Sequence, residues 1–577
     1  MPPRIALAPD PHGPGGRLQP LDDAGAPLGP AVHAADLAAA VADHEGASHP
    51  RWVWACTDSA YVPLLPRLPD RLARCHDLRL VEALLLTQEG LFGRPRSLGA
   101  AWARLHRLPV PPDLPESAGP DDQDTLFAPD RLQLPPATDP LQAVVAVHAD
   151  QLRRIRAVAE PPGAAPAIAG APAAARFRLL AAAESAGALI AAEMAYDGLP
   201  WRTDVHDAML TELLGPRPQI PGAQPWRLAE LAAELQRALG GRPFNPDSHT
   251  QVLRAFADQG VHLGSTRSWE LRGVDHPAAA LLIRYKELSR IHAAHGWAWQ
   301  DAWARGGRFR PEYVVGGVVS GRWASRGGGA LQIPRVLRGA VVADPGWLLV
   351  VADAAQLEPR VLAALSQDAG LARSAAEGDL YAALAATAFQ GDRAKAKLGL
   401  LGAMYGQTSG DIGPLLATLR RRYPAAMGYV EAAARTGEDG GVVGSRLGRI
   451  CPPPSSDWLD LTEDPDSTAD TGGRSARARG RFTRNFVIQA SAADWALALL
   501  AALRRRLAVL EAGPGDRPHL VFFQHDEVVV HTPANLADQV AAAVEEAAEE
   551  ARALVFGDTP VRFPLTTAIV DCYADAK

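Results

Sequence analysis

Two carboxylates stand where a sheet would bury them. Residues 348–351 read Leu-Leu-Val-Val and run into Asp353. Residues 520–532, LVFFQHDEVVVHT, set Gln524-His525-Asp526-Glu527 between two apolar runs. The first pattern is a buried strand ending on an acid, and the second is a hairpin with charge at its tip. A carboxylate in either place costs solvation free energy unless something compensates it. For Asp353 alone, a strand-end turn or a helix N-cap accounts for the residue equally well. The second site shifts the balance. Asp353 and Asp526 together can share a pair of Mg2+ ions, hard cations that take oxygen ligands and keep several waters. Two such ions stabilise both the attacking and the leaving oxygen in phosphoryl transfer.

The elements that would position this chemistry are also legible. Gln356, Glu358 and Arg360 lead from the strand into an apolar helix ending near Leu365. Arg393, Lys397, Leu401 and Tyr405 recur every four residues, so on a helix they lie along one face. A cationic stripe ending in an aromatic ring can grip a triphosphate and stack on a base. For a lone Arg-x3-Lys pair, an ordinary solvated face is the better reading. Arg481, Asn485 and Gln489 repeat the same spacing. They form a polar stripe able to read minor-groove edges, which offer acceptors at similar positions in every base pair.

In this order, these stretches resemble family A DNA polymerases, the DNA polymerase I type. Asp353-x2-Gln356-x-Glu358-x-Arg360 is similar to the family's motif A, Arg393-x3-Lys397-x7-Tyr405-Gly406 to motif B, and His525-Asp526-Glu527 to motif C. Ser320-Gly321-Arg322 with Leu331-Gln332-Ile333-Pro334 resembles the segment opening the palm, and Arg481-x3-Asn485-x3-Gln489-Ala-Ser-Ala-Ala-Asp494 resembles the family's R-x3-N-x3-Q run. Five matches in order are specific.

The resemblance implies an α+β multidomain fold: a right-hand polymerase of palm, fingers and thumb, preceded by an α/β ribonuclease H-like domain of exonuclease type. It implies template-directed addition of dNTPs to a primer 3′-OH. Asp353 and Asp526 would hold two Mg2+ ions, with Lys397 and Glu527 assisting. Arg393, Lys397, Tyr405, Gln356, Glu358 and Leu401 would line the dNTP site, with Glu358 excluding a 2′-OH. Arg322, Gln332, Arg481, Asn485, Gln489 and His525 would contact primer-template DNA. Several positions depart from the family. Leu401 stands where it places an aromatic, Ala354, Ala355 and Pro359 alter motif A, and Ala330-Leu331-Gln332-Ile333-Pro334 is one Asn short.

The chain of 577 residues, 47% hydrophobic, is long enough for several domains. Cys56, Cys75, Cys451 and Cys572 are scattered without C-x2-C spacing. This argues against a disulfide framework or a zinc site and suits a reducing cytoplasm, near the nucleoid. No apolar signal-peptide core opens the chain, and the run WALALLAAL is too short to span a membrane. A monomer without membrane contact is expected. The net charge of −7 does not by itself point to nucleic acid, yet Arg420–Arg422, the arginines from 474 to 484, and Arg504–Arg506 form local basic clusters.

Residues 1–155 read as the exonuclease-like unit. Its first strand, Arg4 to Ala8, lacks the D-x-E that proofreading needs, and Asp43-His44-Glu45 reads as a surface helix end. Residues 156–175 are a Pro/Ala-rich linker, 176–307 the thumb, 308–370 and 446–577 the palm, and 371–445 the fingers. Ser265, Thr266 and Lys286 are phosphate-contact candidates, and for Lys286 a solvated helix face is an equal alternative. The tract from 455 to 480 reads as a mobile loop whose Arg-rich end touches template phosphate. No 5′-nuclease region is expected ahead of the first unit, so flap removal would fall to another protein. Three rivals compete with a proofreading-deficient DNA polymerase. A single-subunit RNA polymerase is opposed by Glu358 and the minor-groove stripe. A non-catalytic DNA-binding relic is opposed by the intact Asp353 and Asp526. A bifunctional polymerase with an active 3′–5′ exonuclease is opposed by the missing carboxylates.

Overall fold

The computed structural model describes residues 3–114, 132–159, 171–220, 222–329, 333–406, 412–463, 469–513, 515–524 and 526–576. The first unit is built on five strands: β1 (Arg4–Pro9), β2 (Gly16–Leu21), β3 (Val32–Ala34), β4 (Arg51–Trp54) and β5 (Arg74–Asp77). Their order is β3-β2-β1-β4-β5, antiparallel from β3 to β1 and parallel from β1 to β5. Helices α1 (Leu37–Ser48), α2 (Leu78–Gln88), α3 (Leu98–His106) and α4 (Pro140–Ala157) accompany the sheet. Two apolar clusters take up alternate residues of β1, Ile5 and Leu7 in one, Ala6 and Ala8 in the other, as expected of a strand covered on both faces.

Glu45 does not sit on a surface. It lies near the end of α1 but is only 5% exposed, accepting from Trp52 Nε1 at 2.7 Å and Ala73 N at 2.8 Å. The two bonds satisfy a carboxylate that burial would otherwise penalise.

Helix α5 (Ala173–Asp197) is a shared beam. The 176–307 assignment places it in the thumb, yet Phe177, Leu180, Ile190 and Met194 belong to the largest core cluster, with Trp495 and Leu499. A separate cluster holds α6 (Thr203–Leu214), α7 (Trp226–Ala238), α8 (His249–Asp258) and α9 (Pro277–His295) together and contains no residue of α5. In this helical lobe Lys286 donates to Thr266 O at 2.9 Å and Oγ1 at 2.6 Å, and Ser265 donates to Glu270 at 2.5 Å. These groups tie their own turn together.

The second sheet has four antiparallel strands, β6 (Trp347–Ala354), β7 (His519–Gln524), β8 (Glu527–Pro533) and β9 (Leu565–Val570), in the order β7-β8-β6-β9. Val350, Ala352 and Ala354 face one cluster while Leu349 and Val351 face another. Burial on both sides explains the unbroken apolar run before Asp353. After β6 come α10 (Leu357–Ser366), α11 (Ala369–Ala376), α12 (Leu380–Ala388), α13 (Arg393–Tyr405), α14 (Ile412–Arg422) and α15 (Pro424–Glu438). Asp368, Asp379 and Asp392 cap three of these helices in succession, accepting from backbone N–H groups at 3.0–3.1 Å. Each such cap is worth about 1 kcal/mol over alanine.

The 455–480 tract is largely helical rather than a loop. It contains α16 (Ser456–Glu463) and the start of α17 (Ala469–Leu507), and Trp458 Nε1 donates to Ser475 O at 3.1 Å. Arg479 is spent on Gly441 O and Pro452 O. Two helical stretches, Ala173–Asp197 and Gly472–Leu507, are long and apolar enough to cross a membrane by length and composition. Their most apolar windows are 72% and 89% buried inside the protein, the signature of core helices. The short WALALLAAL run is thus part of a much longer helix, and burial rather than length accounts for its apolarity.

Candidate active site

The hairpin turn between β7 and β8 brings the two aspartates together. Asp353 pairs with Glu527 across β6 and β8, and Ala354 N donates to Asp526 O at 3.0 Å. The acids meet because β6 ends level with the turn that carries Asp526. Among the described residues no group of three or more His, Cys, Asp or Glu gathers to hold a metal. Two carboxylates at adjoining strand ends are hard oxygen donors. They fit a cation such as Mg2+ that binds through one or two carboxylates and keeps its water.

Glu527 is 4% exposed. Its Oε1 accepts the Tyr573 hydroxyl and lies 3.8 Å from an Arg338 guanidinium nitrogen. The Arg338 guanidinium also sits over the Tyr573 ring, 4.2 Å from its centroid. Neither Arg338 nor Tyr573 belongs to any motif singled out in the sequence.

The corner after Asp353 is tied to both ends of α13. At the N-terminal end, Gln356 Nε2 donates to Asp379 Oδ1 at 2.7 Å, and Arg393 Nε donates to Asp379 Oδ2 at 2.8 Å. The Arg393 guanidinium is also 5.6 Å from the Tyr381 ring centroid. At the C-terminal end, Tyr405 donates to Glu358 Oε2 at 2.6 Å, while Arg322 pairs with the other oxygen of Glu358. Gln489 bonds the Tyr405 hydroxyl. Burial, then the Glu358 bond and charge, push the Tyr405 hydroxyl up to about 12. It is therefore a donor at any working pH. Gln356 itself adopts φ +57°, a left-handed conformation held by the Leu380 N–H donating to its side-chain oxygen at 2.8 Å.

Arg360 is fully buried and donates to five carbonyls, those of Ala355, Ala375, Glu377, Gly378 and Arg562. It locks the 375–378 segment, and with it Asp379, against the strand that carries Asp353. Gly406 ends α13 at φ +68°, and a Cβ there would lie 2.8 Å from Arg481 Cγ. The glycine permits both the left-handed cap and this close approach. At Gly321 a Cβ would run into the Arg449 guanidinium, which is held in turn by Glu184 at 2.8 Å and Asp494 at 3.4 Å. That buried triad supports the turn delivering Arg322.

The other expected residues fall as follows. Lys397 is exposed one turn beyond Arg393, and Leu401 is half-buried against the core. Arg481 is exposed beside Gly406, and the buried Asn485 Oδ1 has no hydrogen-bond partner among the described residues. Gln332 and His525 lie outside the described residues. The Arg504–Arg506 cluster is paired with acids: Arg504 with Glu193, and Arg505 and Arg506 with Glu550, though the Arg505 side chain stays exposed.

A solved structure, the POL domain of Pol1 from M. smegmatis in complex with DNA primer-template and dNTP, superposes with a TM-score of 0.67. It covers 99% of this chain and 95% of that one at 17% identity, a likeness of fold. The family model for DNA polymerase family A matches residues 224–569, more than half of the chain. The chain belongs to DNA polymerase family A. It is 29% identical over 368 residues to a thermostable DNA polymerase I of Thermus filiformis, covering 56% of this chain and 42% of that protein. It is 27% identical over 350 residues to DNA polymerase I of Chloroflexus aurantiacus, covering 53% and 35%. The chain thus spans less than half the length of these curated relatives.

Proposed function

We propose that this chain is a template-directed DNA polymerase that adds dNTPs to a primer 3′-OH and does not proofread. One observation carries the reading. Asp353 and Asp526 adjoin at one end of the two central strands of the second sheet, and the corner after Asp353 is bonded to both ends of α13, the helix bearing Arg393 and Lys397. In this reading the second sheet is the palm, α11–α15 the fingers and α6–α9 the thumb. Primer-template DNA and dNTP as partners are supported by the contents of the M. smegmatis complex.

Asp353 and Asp526 would hold Mg2+, which when bound supplies positive charge that acidifies the primer 3′-OH and offsets the phosphates. The protein's own groups do the rest. Arg393 and Lys397 bind the triphosphate and offset charge that builds on it. Arg393 must exchange Asp379 for phosphate to do so. Glu358, pinned by Arg322 and Tyr405, fills the space beneath the sugar. Arg322, Gln489 and Asn485 read the primer-template minor groove, with Arg481 beside them.

We also propose that the first unit is a ribonuclease H-like domain of exonuclease type without nuclease chemistry. The β3-β2-β1-β4-β5 order supports the fold assignment. The segment after β1 reads Asp10-Pro11-His12 instead of D-x-E, and Glu45 is occupied by Trp52 and Ala73.

The test is extension of a 5′-labelled primer on a longer template with Mg2+, with and without dNTPs, beside Asp353→Ala. Extension abolished by Asp353→Ala and by EDTA, with no shortening in the dNTP-free lane, is the expected result. Shortening that persists in Asp353→Ala would mean an active exonuclease. No extension at all would make the chain a DNA-binding relic.

A further inference from the structure

The chain's last turn reaches the active site. Tyr573 opens a 3-10 turn, Tyr573–Ala576. It is anchored by its N–H donating to Val341 O at 3.0 Å and by the bridge between Val342 and Cys572. The ring is 1% exposed, packed with Leu349, Val351, Phe522 and Val529 on the face of the sheet away from the main core. Its hydroxyl meets Glu527 Oε1, and Arg338 stacks on the ring while lying 3.8 Å from the same oxygen. Glu527 in turn follows Asp526 and faces Asp353 across the strand pair. A phenylalanine would fill the same space, so packing alone does not call for the hydroxyl. Its partner in the site is a nearly buried carboxylate, Glu527, 4% exposed.

We propose that Tyr573 is a positioning residue for nucleotide addition, its hydroxyl holding the Glu527 carboxylate in register beside Asp353 and Asp526. The inference rests on the polymerase reading above. Charge-assisted hydrogen bonds of this type are short and directional. Losing the donor frees the carboxylate to turn toward Arg338 and shifts the charge next to the two aspartates. Binding of DNA and nucleotide, carried by α13, α17 and the Arg322 turn, is left intact.

The test uses the full chain in four forms: wild type, Tyr573→Phe, Glu527→Gln and the double variant. Steady-state extension gives kcat and KM for dNTP and for primer-template, and thermal melting is followed in parallel. Tyr573→Phe should lower kcat about tenfold, the scale of one hydrogen bond to a charged group. Both KM values and the melting temperature should stay near wild type. In the Glu527→Gln background the same change should cost less than about twofold, because the amide keeps an acceptor but not the charge that the hydroxyl holds in register. An equal loss in both backgrounds, no loss in either, or a Tyr573→Phe protein that melts well below wild type would overturn the proposal. A wild-type protein that does not extend primers would instead overturn the polymerase reading beneath it.

Discussion

At the scale of single residues, Glu358 has three duties. Its oxygens are divided between Arg322 and Tyr405, so it ties the Arg322 turn to the end of α13 while occupying space beside the β6 corner. In the proposed reading its size discriminates against a 2′-OH, whereas its charge holds the two partners. The substitutions Glu358→Ala and Glu358→Gln therefore separate the roles. Alanine should raise ribonucleotide incorporation by roughly tenfold or more, since a lost steric clash of 1–3 kcal/mol is on that scale. Glutamine keeps the bulk and should retain discrimination, at the cost of a weaker Arg322 contact and a higher KM for primer-template. Competition between rNTP and dNTP at one template position measures both. An unchanged ratio in Glu358→Ala would remove Glu358 from sugar selection. Asp353, Asp526, Arg393 and Tyr405 were legible as a site because their types and spacing carry chemistry by themselves. Arg338, Tyr573 and Asp379 were not. Each acts through a partner distant in sequence, 189 residues away for Arg338 and 46 for Tyr573, and no local pattern encodes such a pair.

At the scale of elements, the arrangement depends on α13 being held at both ends to the corner of β6 and α10. Asp379 is the N-terminal fastener, and it also caps α12. Burial opposes its ionisation, but bonds from Arg393, Ala382 N and Gln356 outweigh burial and hold its carboxyl down to about 2. The link is thus charged through the whole neutral range, and its stabilising contribution is present above the unfolded value near 4 and fades only as pH falls toward 2. Asparagine is as good an N-cap as aspartate, so Asp379→Asn should keep the cap and lose only the part of the stability that the charge supplies. It removes the charge that places Arg393, and the KM for dNTP should rise several-fold. Asp379→Ala should add a stability loss of about 1 kcal/mol from the missing cap. A KM that falls in Asp379→Asn would show that Asp379 competes with the nucleotide instead of aiming Arg393. The helical periods and the strand–acid–helix pattern made most of these elements readable. The 455–480 tract did not read as helical because its Ser, Asp and Gly content outweighs periodicity. Helix α17 persists through the tract's end by packing against α15 and by the bond from Trp458 to Ser475.

At the scale of the molecule, the first unit is bolted to the rest rather than tethered. Tyr61 donates to Glu193 on α5 at 2.6 Å, and Arg504 on α17 binds the same carboxylate while donating to Leu72 O at 2.6 Å. In the sequence Arg504–Arg506 stand only as a basic cluster, because a run of arginines has no local sign of the acids it will meet. The same burial that makes these joints also traps histidines in the first unit, the helical lobe and the second sheet. His76 in the first unit, His206 and His295 in the helical lobe are pushed down to about 4, and His531 on β8 to about 3, in each case chiefly by burial. His206 shows the geometry that enforces neutrality, with Nε2 against His295 O at 3.0 Å and Nδ1 facing the Trp201 N–H at 3.4 Å. A base whose folded pKa is depressed binds fewer protons folded than unfolded between the two values. Stability from these groups is therefore complete above the unfolded pKa near 6.5 and is lost as pH falls toward 4. Each approaches a slope of ~1.4 kcal/mol per pH unit in that window. Asp77 and Asp494, raised by burial, act in the opposite sense. From their raised values down to about pH 4 these two acids take up protons in the folded chain first and so offset part of the slope from the four histidines. Urea midpoints should fall steadily from pH 7.5 through 6.5 to 5.5, before ordinary carboxylates titrate. A midpoint that holds constant over that range would mean that the buried histidines are hydrated and titrate as they do in the unfolded chain.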